Sequence, residues 1–214
     1  MKSLVKRILG VHAMLVPFKT LELRRVLREL NHGDSVIDIG AGDGTQAAEI
    51  KKKTQKDVFC IDSIYGTPAE DRTSYPGRKF DVATMICVLE HVVDSRLVLM
   101  NVAESLVPGG RIVLTTDCLY GVPDELRKKH RNEHCVNKYY TEDSLREELE
   151  GCGFVNVNVE QMFNSWFAQW LFERGIKNGF KVPMIIYFPL LFILRAVPGS
   201  GHGMFLFASA RRCK

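Results

Sequence analysis

The sequence lacks several features that would assign it to a specialised class of protein. It has no internal repeat and no low-complexity segment, and 46% hydrophobic with 25% charged residues over 214 positions exclude a disordered or fibrous chain. Its six cysteines are scattered without a CxxC pair, which favours reduced thiols over a disulfide framework. We therefore expect a globular, cytoplasmic protein.

No apolar run is long enough to predict a membrane-spanning helix. The longest, Val182 to Leu194, is interrupted by two prolines, whereas a spanning helix needs about 20 apolar residues. The basic N-terminus is followed by an apolar run, as in a signal peptide, but no small-residue cleavage site comes after it. We predict an amphipathic helix there, with one apolar face formed by Leu4, Ile8, Val11 and Leu15.

The charge is small in total and uneven along the chain. A net charge of +4 does not predict a nucleic-acid binder from bulk electrostatics. Residues 161–214, however, carry seven Lys or Arg against Glu173 alone, and the same segment holds the aromatic cluster Trp166 to Phe172 and the longest apolar run. Apolar and basic character together predict that this segment makes peripheral contact with an anionic bilayer. Extra core or a homodimer face stays open as the alternative.

Short β-branched runs alternate with segments of helical periodicity. This order predicts a doubly wound, mostly parallel α/β sheet. The predicted strands cover residues 35–40, 58–61, 81–86, 112–116, 154–159 and 204–210. The predicted helices cover residues 21–30, 45–51 and 94–106, and one more begins after the N-cap Thr141.

A glycine-rich turn follows the first of these strands directly. Glycines recur at every second position from Gly40 to Gly44, and Asp38 precedes them, so the backbone can approach a ligand at the carboxyl end of a strand. Asp62 ends the next strand, where an acid can accept hydrogen bonds from both hydroxyls of a ribose. The two features together indicate a nucleoside-containing ligand. The G-x-G-x-x-G spacing of a nicotinamide site is not present, and there is no second mononucleotide-binding half.

Four motifs in order resemble the class I S-adenosylmethionine-dependent methyltransferases. They are Asp38 to Gly44, Asp62, the run from Phe80-Asp81-Val82 to Leu89-Glu90-His91, and Leu106 to Gly110 before a strand. The resemblance is greatest to the ubiquinone-biosynthesis-type, small-molecule subgroup, and it covers Leu21 to about Val159 with Met204 to Arg211. It implies a Rossmann-like sheet of seven strands with an antiparallel last strand. The apolar segment of residues 161–203 is individual to this chain and predicts a hydrophobic helical insertion before that strand.

The same resemblance implies roles for individual residues. Asp38 would support the methionine ammonium group of S-adenosylmethionine, and Asp62 would hold the ribose. The other implied cofactor contacts are Gly40, Ala41 and Gly42 along the cofactor, Ser63 or Ile64 beside the adenine, Glu70 at the adenine amino group, and Ile86 and Cys87 near the sulfonium. The chain departs from the family pattern after Asp62, because only five residues separate it from Pro68 and leave little room for the usual helix and strand.

The acceptor is less well defined by the sequence. His91 and His134 are the candidate catalytic residues, as general bases for an acceptor that must lose a proton. His130 and His134 have the i, i+4 spacing of metal ligands on a helix, but no third ligand follows from the spacing, so we predict no metal. With no appended RNA-binding module, the expected acceptor is a small molecule, hydrophobic or lipid-linked, and the product S-adenosylhomocysteine.

The sequence leaves a non-catalytic function open and predicts a single domain. A non-catalytic, cofactor-binding partner or regulatory protein of the same fold would keep the glycine turn and Asp62 without turnover. We expect a single methyltransferase domain over residues 1–214. It divides into N-terminal helices (1–33), a cofactor-binding core (34–160), the apolar, basic insertion (161–203), and the last strand and tail (204–214).

Overall fold

The computed structural model describes residues 14–15, 17–119, 121–179, 182–197, 199 and 203–213. The strands in this part of the chain are β1 (Met14–Leu15), β2 (Val36–Ile39), β3 (Val58–Ile61), β4 (Phe80–Ile86), β5 (Leu106–Asp117), β6 (Phe154–Met162), β7 (Val182–Pro183) and β8 (Phe205–Arg212). The helices are α1 (Pro17–Arg28), α2 (Thr45–Thr54), α3 (Ser95–Ser105), α4 (Asp124–His134), α5 (Glu142–Gly151), α6 (Trp166–Asn178) and α7 (Met184–Ala196).

The main sheet has the strand order β3-β2-β4-β5-β8-β6. Strands β3, β2, β4 and β5 pair in parallel, whereas β8 is antiparallel to both β5 and β6. The predicted Rossmann-like, mostly parallel sheet with an antiparallel last strand is therefore confirmed. The strand order reverses between β2 and β4, and ligands of open α/β sheets bind at that point.

The expectation of seven strands is wrong, because the described sheet has six. Between β3 and β4 the chain forms two short 3-10 turns, Ser63–Tyr65 and Arg72–Ser74. Asp62 and Asp71 cap these turns with their side chains. The shortened segment after Asp62 thus leaves β3 at the edge of the sheet.

Local signals placed two helix starts correctly and one strand start wrongly. Thr141 caps α5 in a reciprocal capping box with Ser144, and Asp94 caps α3. Strand β5 begins at Leu106 rather than at residue 112, because Phe80 pairs with Leu106 before the register shifts. The Pro-Gly-Gly run inside β5 is a bulge, a feature that glycine permits and that hides the strand in the sequence.

Both faces of the sheet are covered by apolar side chains. On one face, Ile37 and Ile39 pack in the cluster that contains Leu99 of α3 and Leu145 of α5. On the other face, Val36 packs with residues of α1 and α2. Asp38 lies next to Val36 in this alternation, so its carboxyl group is buried on the face that α1 covers.

The hydrophobic helical insertion is present as two helices, α6 and α7, which precede β8. Ala168, Phe172 and Ile176 share one buried face of α6, at helical spacing of four residues. The ring of Phe172 lies 5.3 Å from Phe18 and 5.2 Å from Phe205, so the insertion is packed onto the core through aromatic contacts.

The predicted N-terminal amphipathic helix lies mostly outside the described residues. At its C-terminal end the prediction is wrong, because Met14–Leu15 form β1 and pair with β7. Among the described residues, no helix combines the length and the apolar character needed to cross a bilayer. The proposed division at residues 33, 160 and 203 stays a prediction.

Candidate active site

A cavity of about 1000 Å³ opens at the carboxyl ends of the parallel strands. The turn after β2 and the end of β4 form one side of it, at the point where the strand order reverses. Helix α4 and helix α6 form the opposite wall, through His130, His134, Phe172 and Ile176. The cavity therefore joins the glycine turn to the apolar insertion.

Two glycines of the turn have different tasks. Gly40 has φ +73°, and a Cβ added there would lie 2.2 Å from Cγ2 of Val88. Gly42 has φ +56°, and a Cβ added there would meet no heavy atom within 4 Å. Both positions favour glycine for their backbone. Gly40 additionally permits close packing inside the protein, whereas Gly42 leaves space open along the cavity that it lines.

Asp62 ties this turn to the end of β3. Its Oδ2 accepts a hydrogen bond from the backbone N–H of Gly42 at 2.9 Å, and its Oδ1 accepts one from Ile64 at 3.0 Å. The Tyr65 hydroxyl also donates to the Gly42 carbonyl. An ionised carboxylate can accept about four hydrogen bonds. Half-buried Asp62 thus keeps acceptor capacity for ribose hydroxyls, and that predicted role stays a prediction.

Asp38 lies directly behind the glycine turn and is almost completely buried. Its Oδ1 accepts a hydrogen bond from the Thr84 hydroxyl at 2.6 Å. Its Oδ2 is the single buried side-chain polar atom without a partner in the part of the chain that the structure describes. Burial raises the pKa of Asp38 to about 7. An unsatisfied carboxyl oxygen at this place fits an ammonium group held through water or through the turn.

The two candidate general bases line the same cavity. Nδ1 of His91 lies 3.5 Å from the carbonyl oxygen of Cys135. The ring of His134 lies 4.5 Å from that of His130, centroid to centroid. Burial lowers the pKa of His134 and lowers that of His130 to about 4, so both imidazoles are neutral at pH 7 and can accept a proton.

Sequence reasoning missed a group of buried carboxyls at this cavity, formed by Glu22, Glu90 and Asp117. Cys87 Sγ donates to Glu22 Oε1 at 3.0 Å, and one ligand atom from each of Cys87, Glu90 and Asp117 lies within 4.8 Å of the others. Burial raises the pKa of Glu22 to about 7 and raises those of Glu90 and Asp117 as well. A signal was present in α1, where Glu22 interrupts a buried stripe of Phe18 and Val26.

The structure brings most of the predicted site residues to the cavity wall. They are Gly40, Ala41, Gly42, Ile86, Cys87, His91 and His134. Ser63 lies in the exposed turn after Asp62, and Glu70 Oε1 accepts a hydrogen bond from the backbone of Val93 at 3.2 Å, away from the cavity wall. Their contacts with the adenine stay predictions. The described residues bring no third metal ligand to His130 and His134.

These features fit S-adenosylmethionine. The open side of Gly42 leaves room for a ligand, and the unpartnered oxygen of Asp38 lies behind the turn that would hold its amino-acid end. Asp62 directly follows the neighbouring parallel strand β3 and is joined to the turn through the Gly42 N–H.

Comparison with known proteins gives one family and a set of similar folds. A family model described as a methyltransferase domain matches residues 18–159. No curated protein sequence matches the chain significantly.

Three solved structures illustrate the likeness. Phosphoethanolamine N-methyltransferase 2 of Haemonchus contortus, in complex with S-adenosyl-L-methionine, superposes with a TM-score of 0.64 at 16% identity over 92% of this chain. This chain spans only 53% of that protein. A SAM-dependent methyltransferase of Archaeoglobus fulgidus gives a TM-score of 0.64 at 15% identity and covers 99% of both chains. A possible histamine N-methyltransferase of Thermotoga maritima gives 0.57 at 19% identity, over 98% of this chain and 92% of that one.

At these identities the structural likeness shows the fold, while the family model covers the chain from α1 into β6. The glycine turn, Asp62 and the open α/β sheet agree with both findings. The chain belongs to the family whose model is described as a methyltransferase domain.

Proposed function

We propose that this protein transfers a methyl group from S-adenosylmethionine to a small acceptor with an apolar, lipid-like body. The observation that carries the proposal is the cavity itself, which joins the glycine turn to an aromatic and aliphatic wall. Phe172 and Ile176 of the insertion supply that wall together with Phe18 and Phe205. An acceptor bound against this wall would lie beside the end of β4, close to the predicted sulfonium position.

The chain's own residues would bind the donor and the acceptor, orient them toward each other and exclude water from the pocket. When bound, S-adenosylmethionine supplies an electrophilic methyl group. The turn from Gly40 to Gly42 and Asp62 would fix the donor, and the aromatic wall would keep the acceptor in a dry pocket, where proximity accelerates transfer. His91, or the neutral imidazole of His134, would accept the proton of a hydroxyl or carbon acid. The proposal includes membership of this chain in the ubiquinone-biosynthesis-type subgroup, which Leu89-Glu90-His91 and the Pro-Gly-Gly run support.

The outer face of the insertion supports an acceptor that comes from a membrane. Trp166 on α6 is 66% exposed, and Phe188 and Phe192 on α7 are 65% and 74% exposed. Arg24 and Arg195 flank Phe188 and Phe192 around a shallow depression. Exposed aromatic rings beside guanidinium groups are complementary to an anionic bilayer surface, because the rings enter the interface while the cations meet lipid phosphates.

Vesicle flotation tests this contact. We expect the protein to float with vesicles of phosphatidylcholine and phosphatidylserine, and less with phosphatidylcholine alone. The change of Phe188 and Phe192 to Ser should lower the bound fraction at least tenfold, since each aromatic ring removed from the interface costs apolar burial. Val93→Ser is the matched control, because Val93 is 90% exposed at another place. Absence of vesicle binding together with concentration-dependent dimerisation would refute membrane contact and favour the homodimer face.

Transfer of label from S-adenosyl-[methyl-³H]methionine tests the function. We expect tritium to enter the organic phase when the protein is incubated with a lipid extract, and Asp62→Ala to reduce incorporation at least tenfold. Asp57→Ala removes an exposed carboxylate elsewhere and should leave incorporation unchanged. Tight donor binding without incorporation from lipid and aqueous extracts would contradict turnover and support the non-catalytic alternative.

A further inference from the structure

Asp117 ends β5 at the base of the cavity, and no described residue donates a hydrogen bond to its carboxylate. The residue is 5% exposed and lines the cavity wall. The nearest cation-forming neighbour is Nε2 of His130 at 3.8 Å, beyond hydrogen-bond distance. Because the pKa of His130 is lowered to about 4 by burial, that imidazole is neutral at pH 7. The Asp117 carboxyl group therefore faces the cavity with no hydrogen-bond donor and no cationic partner among the described residues.

Two further carboxyl groups face the same space. Glu22 is 1% exposed and Glu90 is fully buried, and both line the cavity. Lys19 is an exposed residue on the cavity wall, but within the described part of the chain it forms no ion pair with any of the three acids. His91 Nε2 lies 4.0 Å from Glu90 Oε1, which is also beyond hydrogen-bond distance. Among the described residues, none of the three acids therefore has a hydrogen-bonded basic partner.

Buried acids in this arrangement need either protons or a cation from outside. Three carboxylates this close repel one another, and a bound positive charge would offset both the repulsion and the loss of hydration. The aromatic wall next to them would receive the apolar part of the same ligand, and aromatic faces also attract quaternary or protonated nitrogen.

We propose that Asp117, with Glu22 and Glu90, binds the positively charged nitrogen of an amine acceptor. This inference rests on the proposed function and narrows its acceptor to an amine with an apolar body. The nitrogen would lie at the carboxyl ends of β4 and β5, beside Cys87, on the side of the cavity where the resemblance places the sulfonium.

The chemistry of transfer follows from that position. The Asp117 carboxylate takes one proton from the acceptor ammonium, which leaves a neutral amine with a free lone pair. The amine nitrogen forms the new N–C bond as the S–C bond of the donor breaks, and the electron pair of that bond stays on sulfur. The methylated product is again an ammonium ion, balanced by the carboxylates, and the proton on Asp117 passes to water.

The test uses hexyltrimethylammonium, an amine analogue that cannot accept a methyl group, and hexanol as its uncharged counterpart. Binding is measured by calorimetry on the full chain in the presence of S-adenosylhomocysteine. Asp117→Asn should weaken the binding of hexyltrimethylammonium at least tenfold, or by about 1.4 kcal/mol, and leave the binding of hexanol unchanged. Glu133→Gln is the matched control, because it removes an exposed carboxylate from the rim of the same cavity. It should change the affinity for either ligand by no more than about threefold.

Equal binding of hexyltrimethylammonium to the wild type and Asp117→Asn overturns the inference, as does equal weakening by Glu133→Gln. Glu22→Gln gives the same comparison should Asp117→Asn fail to fold. Binding of S-adenosylhomocysteine is recorded separately. If the wild type binds S-adenosylhomocysteine but not hexyltrimethylammonium, the amine site is refuted and the proposed function stands. If the folded wild type does not bind S-adenosylhomocysteine, the proposed function is contradicted.

Discussion

Substitution of alanine for two glycines of the same turn separates packing from ligand contact. Both backbones are left-handed, with φ +73° at Gly40 and +56° at Gly42, and alanine in that region costs about 1–2 kcal/mol. Only at Gly40 does the new Cβ meet a neighbour, Cγ2 of Val88 at 2.2 Å. Overpacking of a core adds about 1–3 kcal/mol. We expect Gly40→Ala to lower the free energy of unfolding by about 2–5 kcal/mol, and Gly42→Ala by about 1–2 kcal/mol.

Urea unfolding followed by circular dichroism measures both values. The folded Gly42→Ala protein should bind S-adenosylhomocysteine more weakly than the wild type, because the added methyl group enters the cavity that Gly42 lines. Equal destabilisation by the two substitutions would refute the assignment of Gly40 to packing. Unchanged affinity in Gly42→Ala would refute the placement of the ligand beside the turn.

Two further predictions concern stability. Glu22 has a pKa of about 7 when folded and an ordinary value of 4.5, so its proton is lost first from the unfolded chain as pH rises. This lowers the stability of the folded protein by about 3 kcal/mol between pH 4.5 and 7, and Glu22→Gln should abolish that part of the pH dependence. The same change of the urea midpoint between pH 5 and pH 8 in the wild type and in Glu22→Gln would contradict this prediction. Thr141→Ala removes the N-cap of α5 and should cost about 1 kcal/mol in urea unfolding. The exposed Glu147→Ala in the same helix should stay within about 0.5 kcal/mol of the wild type, and equal losses would argue against the cap.

The parts of the fold that depend on near neighbours in the chain were predictable. The glycine turn, the cap at Thr141 and the β-branched strands each depend on residues a few positions apart. Strand β5 was misplaced at its start because Pro108 and Gly109 normally interrupt a strand, while here the partner strand β4 accommodates them as a bulge. The short segment after Asp62 already indicated little room for a further strand, and the sheet of the described residues has six.

The convergence of distant side chains was not predictable. Glu22, Glu90 and Asp117 come from α1, from the segment after β4, and from the end of β5, and only the strand order places their carboxyl groups at one cavity. Asp117 carried a partial signal, since it ends a parallel strand at the same edge as Gly40. No pattern within α6 indicates that Phe172 would face this cavity rather than another part of the core.

Calorimetric titration of the full chain with S-adenosylhomocysteine tests the central claim most directly, with Asp62→Ala and Asp57→Ala as a matched pair. The account predicts one binding site in the wild type, affinity at least tenfold weaker in Asp62→Ala, and no change in Asp57→Ala. Asp62→Ala removes both the expected ribose contact and the acceptor of the Gly42 N–H. No heat of binding from a wild-type protein shown to be folded would contradict a donor site at this turn.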